Sequence, residues 1–338
     1  MSTEKYMQKC LDLAKQGFPK SSPNPMVGCV IVHNDKIIGQ GFHEQYGSHH
    51  AEVNAINSVS DKNLLEKSTL YVNLEPCAHY GKTPPCSNLI VKHKIPKVVI
   101  GTIDDYSEVA GKGILHLRKN GINVSTGVLK EKCLKLNRRF FTFHNKKRPY
   151  IILKWAESSD GFIAPKNQKE PFWMTSEKSK KLVHKWRSEE TAILVGSNTV
   201  RLDNPKLTSR LCDGKNPIRL VIDKNLRLSS NFNVFDKNSK TFTINQIEHS
   251  DHKLKINFEA FFEELYEQLF KLKIQSIIIE GGKFTLDEFI KNDQWDEARV
   301  FTAPIILSNG LPSPNIFDKK KYSSLDIGND ILNTYFNQ

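Results

Sequence analysis

The sequence has little that would brace it covalently. Six cysteines in 338 residues are too few and too scattered for a disulfide framework. Cys10, Cys29, Cys133 and Cys212 read as buried or free thiols of a reducing compartment, while Cys77 and Cys86 have another use. No apolar run approaches the length that spans a bilayer, and the N-terminal Met-Ser-Thr-Glu-Lys-Tyr lacks the apolar core of a secretory signal. No membrane is therefore expected, and the expected location is cytoplasmic. Acidic residues are also short: 37 Asp and Glu stand against 49 Lys and Arg, a net charge of +12. That excess suits anionic partners. Yet the chain has no arginine-rich arm and no aromatic platform between its basic residues, only short clusters such as Lys146-Lys147-Arg148 and Lys319-Lys320-Lys321. No nucleic-acid partner is expected; pockets for phosphorylated small molecules suit this charge better.

What the chain does have is concentrated between His50 and Cys86. It reads His50-Ala51-Glu52; 24 residues separate Glu52 from Cys77, the last of them Pro76, and eight separate Cys77 from Cys86, the last two Pro84-Pro85. One imidazole and two thiolates fill three positions of a tetrahedral zinc ion and leave the fourth for water, the mark of a catalytic site. Glu52 is then free to move protons to and from that water, as in the zinc deaminases. His50 opens an amphipathic run with Ala51, Ala55, Ile56 and Val59; Cys77 follows the alternating strand Leu70-Val72-Leu74; Cys86 opens a helix over 87–94. All three donors thus fall at element ends. His79, between the cysteines, is a competing donor that the spacing leaves out.

Length makes two domains the default. In the first half the periodicity predicts a helix over 3–17, a hairpin of strands at 27–32 and 37–42 turning at Asn34-Asp35, the His50 helix, a strand at 69–74, the Cys86 helix, a buried strand at 97–101 and a helix over 111–120. That order is a layered α/β domain, 1–145. A polar linker, His144 to Pro149, leads to a second α/β domain, 146–338. Its expected strands lie at 150–155, 191–195, 218–222, 240–244, 276–280 and 298–302, and its helices at 176–187, 258–271 and 284–291. Glu280-Gly281-Gly282 joins one of these strands to a helix; Gly281 and Gly282 either let a cofactor phosphate approach the backbone at that helix start or make a simple tight turn.

Several stretches together resemble the bifunctional riboflavin-biosynthesis deaminase–reductase family. They are Pro23-Asn24-Pro25-Met26-Val27-Gly28, His50-Ala51-Glu52 and Glu75 to Cys86 in the first half. In the second they are Leu153 to Gly161, Trp173-Met174-Thr175-Ser176, Ile193 to Thr199, Asp203-Asn204-Pro205 and Glu280-Gly281-Gly282. The wider cytidine and tRNA-adenosine deaminases have two residues between their cysteines, and the eight here look like the riboflavin branch. The resemblance implies a cytidine-deaminase-like domain followed by a dihydrofolate-reductase-like one. It implies one zinc per chain, NADPH, phosphorylated pyrimidine substrates, and a homodimer or larger homo-oligomer. The implied reactions are hydrolysis of the 2-amino group of 2,5-diamino-6-(5-phosphoribosylamino)pyrimidin-4-one, then reduction of the ribosyl group to ribityl.

Residue by residue, the resemblance carries over His50, Cys77 and Cys86 as metal ligands and Glu52 as the proton shuttle. Asn24, His43, Lys82 and Asp104 match substrate positions of the deaminase. In the reductase, Lys154, Ala156, Trp173, Thr199 and Asp203 match positions near the cofactor or reaction centre. Arg187, Leu207, Arg210 and Glu280 match substrate positions, the two arginines being suited to paired bonds with a phosphate. Lys154, Asp203 and Glu280 are candidates for the proton donor. Three departures stand out: Tyr106 where the family has asparagine, Pro171 at a commonly polar position, and Ser308-Asn309-Gly310 in place of a richer glycine pair. A nucleic-acid-editing zinc deaminase with an accessory domain is the rival reading; the cysteine spacing and the second-half motifs argue against it.

Overall fold

The structure is a computed structural model that describes residues 3–78, 84–103, 111–166, 168, 170, 172–316 and 319–337. His79, Lys82, Asp104, Tyr106 and Pro171, all singled out from the sequence, lie outside the described residues. The chain divides into two compact units, Met1–Lys146 and Lys147–Gln338.

The first unit runs α1 (Thr3–Lys15), β1 (Gly28–His33), β2 (Lys36–Phe42), α2 (Ala51–Ser58), β3 (Thr69–Leu74), α3 (Cys86–Lys92), β4 (Lys97–Thr102), α4 (Lys112–Lys119), β5 (Asn123–Thr126), α5 (Lys130–Leu136) and α6 (Arg138–Lys146). Its sheet has the order β2-β1-β3-β4-β5. β1 is antiparallel to β2 and β3, whereas β3, β4 and β5 run parallel. Both faces are covered, which is why the central strands read as unbroken apolar runs. Cys29 and Ile31 of β1 pack with Ala55 and Ile56 of α2, Ile90 of α3 and Leu117 of α4. Val30 and Val32, pointing the other way, pack with Met7 and Leu11 of α1 and with Cys133 of α5. The first helix ends at Lys15, two residues short of the Gly17 stop expected from the sequence.

The second unit runs β6 (Tyr150–Ser158), β7 (Phe162–Pro165), α7 (Glu177–Glu189), β8 (Ala192–Gly196), α8 (Ser197–Asp203), β9 (Ile218–Ile222), β10 (Thr241–Asn245), β11 (Lys253–Lys255), α9 (Phe261–Lys271), β12 (Ser276–Ile279), α10 (Lys283–Lys291), β13 (Glu297–Ala303), β14 (Gly310–Pro312), β15 (Lys321–Ile327) and β16 (Asp330–Phe336). Nine strands form one sheet, β11-β10-β9-β8-β12-β6-β13-β16-β15, and β14 pairs with β7 apart from it. The strands run parallel from β11 through β13, and β16 and β15 are antiparallel. On one face Leu194, Ile277 and Ile279 meet Leu265 and Leu269 of α9 and Phe289 of α10. On the other, Ile152 and Ile193 meet Val183 and Trp186 of α7 and Val200 of α8. Lys154 shares the α7-facing side of β6 with Ile152, two residues before it.

Candidate active sites

In the first unit β3 ends at Leu74, and the chain turns through Glu75-Pro76 into Cys77. Glu75 fixes that turn. Its buried carboxylate accepts from the backbone N–H groups of Gly111 (3.1 Å), Gly113 (2.9 Å) and Ile114 (3.2 Å) at the start of α4. Gly113 must be glycine, because a Cβ there would sit 2.1 Å from the carbonyl oxygen of Pro76. His50 stands at the N-cap of α2, and Cys86 is the first residue of α3. The donor atoms of His50, Cys77 and Cys86 all lie within 4.8 Å of one another. Nδ1 of His50 is 3.3 Å from Sγ of Cys86 and 3.6 Å from Sγ of Cys77. A tetrahedral zinc with ordinary Zn–S and Zn–N bonds puts its nitrogen and sulfur ligands about 3.6 Å apart. The residues therefore fit the metal in number, kind and spacing.

The electrostatics agree. The Cys77 thiol is held low by the hydrogen bond from Cys86, assisted by His50 and by the backbone N–H of Cys86, which lies 3.3 Å from its sulfur. Cys86 is held high by the Cys77 thiolate and by burial, so the pair shares a proton that a divalent cation would displace. Glu52, in the first turn of α2, is only 3% exposed. Burial and the neighbouring Cys77 thiolate push its carboxyl up to about 7.

Beside these donors His43 packs edge-on to His50, with ring centroids 5.5 Å apart. Burial lowers its pKa, so it is neutral near pH 7. Its Nδ1–H donates to the carbonyl of His49 (3.0 Å), and its Nε2 accepts from Nδ2 of Asn24 (3.1 Å). The loop carrying Asn24 is held by two residues the sequence reading did not single out. Asn137 accepts from the N–H of Met26 (2.8 Å) and donates to its carbonyl (2.9 Å). Asn73 donates to the same carbonyl (3.0 Å) and accepts from the N–H of Gly28 (2.7 Å). No local pattern marks either; only their burial, 2% and 0% exposed, sets them apart.

In the second unit the C-terminal ends of β8 and β12 open onto a cavity of about 1390 Å³. Its wall holds Lys154, Ala156, Trp173, Arg187, Thr199, Asp203, Leu207, Arg210, Glu280, Gly281 and Gly282, the full set nominated there that the structure describes. Ligands of open α/β sheets bind at this edge. A Cβ on Gly281 would lie 2.8 Å from the Gly196 nitrogen and 2.9 Å from Cα of Val195, so the strand ends approach only because that residue is bare. Gly282 donates its N–H to Oγ1 of Thr199 (2.7 Å) and caps α10, which has no side-chain cap of its own. The bare, uncapped helix start fits a pyrophosphate, and the cavity has room for a dinucleotide with a substrate.

The polar centre of this cavity is Glu280. Arg187 donates to both its oxygens, each at 2.8 Å, and Lys154 lies 3.8 Å away. Burial raises the Glu280 carboxyl, but Arg187 and Lys154 outweigh it and hold the group down to about 2. Burial in turn lowers the Lys154 ammonium against the pull of Glu280. The remaining face of the Arg187 guanidinium donates to the Thr208 carbonyl (3.2 Å). Its fork is thus already occupied, unlike the free fork that paired bonds to a phosphate require. Arg210, on the cavity rim, is the exposed cation of this group. Asp203 accepts from Gln168 (3.1 Å), and burial raises its pKa. One turn before Arg187 on α7 lies His184, 1% exposed and with neither ring nitrogen partnered among the described residues. Burial and the charges of Arg187 and Arg210 push it down to about 4.

A metal-ready zinc-deaminase domain and an α/β domain with a dinucleotide cavity, in one chain, define a class: a fused deaminase and reductase. The chain belongs to the RibD family of riboflavin biosynthesis proteins. The family model for the RibD C-terminal domain matches residues 149–332, and that for the cytidine and deoxycytidylate deaminase zinc-binding region matches 1–102. The riboflavin biosynthesis protein RibD of Aquifex aeolicus is 40% identical over 316 residues, covering 90% of this chain and 88% of that one. The Escherichia coli RibD is 32% identical over 335 residues, covering 91% and 89%. Among solved structures, the diaminohydroxyphosphoribosylaminopyrimidine deaminase/5-amino-6-(5-phosphoribosylamino)uracil reductase of Thermotoga maritima aligns with a TM-score of 0.88 at 36% identity, covering 98% of both chains.

Proposed function

We propose that the chain carries out two consecutive steps of riboflavin biosynthesis. It hydrolyses the 2-amino group of the diaminopyrimidine ribosyl phosphate and then reduces the ribosyl group of the resulting aminouracil. The observation that carries this reading is the triangle of His50, Cys77 and Cys86 beside the buried Glu52.

Zinc, when bound by His50, Cys77 and Cys86, supplies a Lewis acid that lowers the pKa of a water. Glu52 takes a proton from that water as its oxygen bonds to the ring carbon and passes it to the ring nitrogen; it then takes the proton of the new hydroxyl and delivers it to the amine. The carbon–nitrogen bond breaks, ammonia leaves and the carbonyl forms. Removal from water suits Glu52 to the task, since a shuttle works best with a pKa near the working pH. Asn24 has its Nδ2 committed to His43, which leaves Oδ1 to accept a hydrogen bond from the pyrimidine edge. Lys82 and Asp104 are proposed to complete the substrate contacts.

In the second unit NADPH, held along Gly281-Gly282, Thr199, Ala156 and Trp173, supplies a hydride. Lys154 is the proton donor we favour among the three candidates. Glu280 is ionised and carries no proton to give, whereas the Lys154 ammonium is charged and made more acidic by burial. It gives its proton to O4′ as the C1′–O4′ bond opens and C1′ is reduced. Asp203 closes the cofactor side. Arg210 takes the phosphate, Arg187 holds Glu280 in place, and Leu207 packs beside them. A homo-oligomer and a cytoplasmic location belong to the same reading; light scattering on the purified chain checks the first.

The test uses the purified zinc-loaded chain with the diaminopyrimidine phosphate. Ammonia should be released without NADPH, and NADPH should be consumed only as the uracil accumulates. NADPH oxidation with no ammonia release would remove the deaminase half of the reading.

A further inference from the structure

Residues 103–148 fall between the stretches matched by the two family models. We infer that α5 and α6, within this gap, belong to the deaminase site, and that Asn137 at their junction is the positioning residue for the substrate loop. The inference rests on the reading of Asn24 as a substrate contact.

Backbone bonds hold only the ends of the loop 24–27: the Asn24 N–H donates to the Ser21 carbonyl (2.9 Å), and the Val27 carbonyl accepts from the His43 N–H (2.9 Å). Between them, side chains hold the N–H and the carbonyl of Met26. The amide of Asn137 closes both hydrogen bonds on Met26, N–H and carbonyl, as a neighbouring strand would. Asn73 supplies a second bond to that carbonyl and one from the Gly28 N–H. Asn73 belongs to β3, whose end leads into Cys77, so it ties the loop to the metal donors. Asn137 comes from 111 positions further along and fixes the peptide two residues from Asn24. Asn24 in turn holds His43, which packs on the metal donor His50. A geometric chain therefore runs from α5–α6 to the reacting centre. Without Asn137, Asn73 still anchors Gly28 and the Met26 carbonyl. The loop stays attached, but the Met26 N–H is left unpaired and Asn24 loses its register.

The experiment is steady-state deamination by the full-length zinc-loaded chain with Asn137→Ala, Asn24→Ala and both together. Zinc content and reductase activity are read on each. Asn137→Ala should raise KM about 10-fold, the effect of leaving a half-buried donor unpaired, with kcat changed less than KM. Zinc content and reduction should be unchanged. In the Asn24→Ala background the same substitution should add less than about 2-fold, because the two act through one contact. If Asn137→Ala does not fold, Asn137→Asp carries the same comparison: it keeps the acceptor for the Met26 N–H but sets a carboxylate oxygen against the Met26 carbonyl. An unaltered KM in Asn24→Ala would defeat the parent reading of Asn24 whatever Asn137 does. A raised KM there, combined with no effect at Asn137 or with effects that multiply, would overturn the positioning role alone.

Discussion

Glu52 and Glu280 are both buried carboxylates, yet their neighbours drive them in opposite directions. Glu52 sits beside a thiolate and is pushed up to about 7; Glu280 sits between two cations and is held down to about 2. Substituting Glu52 by Gln should keep zinc and fold and reduce deamination by about 10²–10⁴-fold, since an amide cannot accept the water's proton. Atomic absorption together with an ammonia assay checks this, and near-normal turnover would take Glu52 out of the mechanism. Glu280 and His184 also make stability depend on acid. His184 falls from an ordinary value of 6.5 to about 4 in the folded chain, so the unfolded chain binds the extra proton and stability is lost as pH drops from 6.5 toward 4. Glu280, lowered from 4.5 to about 2, contributes stability present above pH 4.5 and lost as pH falls through that window. Each contribution is on the order of 3 kcal/mol. The denaturant midpoint of the parent chain should therefore fall relative to that of His184→Gln as pH drops from 6.5 toward 4, a comparison in which the other titrating groups cancel.

At the scale of elements, the close approach of the C-terminal ends of β8 and β12 depends on a missing side chain. Gly281→Ala sets a methyl against the Gly196 nitrogen and the Val195 Cα, both backbone atoms that cannot step aside. The strand ends must part, and NADPH binding, followed by its fluorescence, should weaken by about 5- to 150-fold, as overpacking of about 1–3 kcal/mol implies. Deamination should not change. This glycine pair, like the zinc donors, was legible in the sequence because its elements are contiguous: an apolar strand, a turn signal, a helix. The strands with strong apolar patterns, β1 to β4, β6, β8 to β10, β12 and β13, were equally legible. β5 buries only Val124, and α8 only Val200, so neither leaves a readable pattern. β15 buries nothing because it is the edge strand of its sheet, and β16, between it and β13, alternates weakly. Contacts made at long range were not legible at all. Arg187 finds Glu280 across 93 positions, and Asn137 finds Met26 across 111, with no local signal at either end. The expected helix over 258–271 is a 3₁₀ turn, Phe258–Ala260, that leads into α9.

At the scale of the whole molecule, each chemistry is contained in its own compact unit. The metal donors all lie in Met1–Lys146 and the dinucleotide cavity in Lys147–Gln338. Stripping zinc with a chelator should therefore stop ammonia release and leave reduction of supplied aminouracil phosphate intact. Arg210→Ala should do the reverse, weakening reduction by about 1.5–3 kcal/mol through loss of a charged hydrogen bond. Loss of both activities from a folded protein in either experiment would call for a shared centre. The loop clamp also gives the first unit a timetable. His50 and Cys86 lie within 36 positions of each other, so the donors are all synthesised early. Asn137 leaves the ribosome roughly 50 residues after them, some seconds later at about 5–20 residues per second. A nascent chain thus owns a complete set of metal donors before Asn137 is available to lock the loop that carries Asn24.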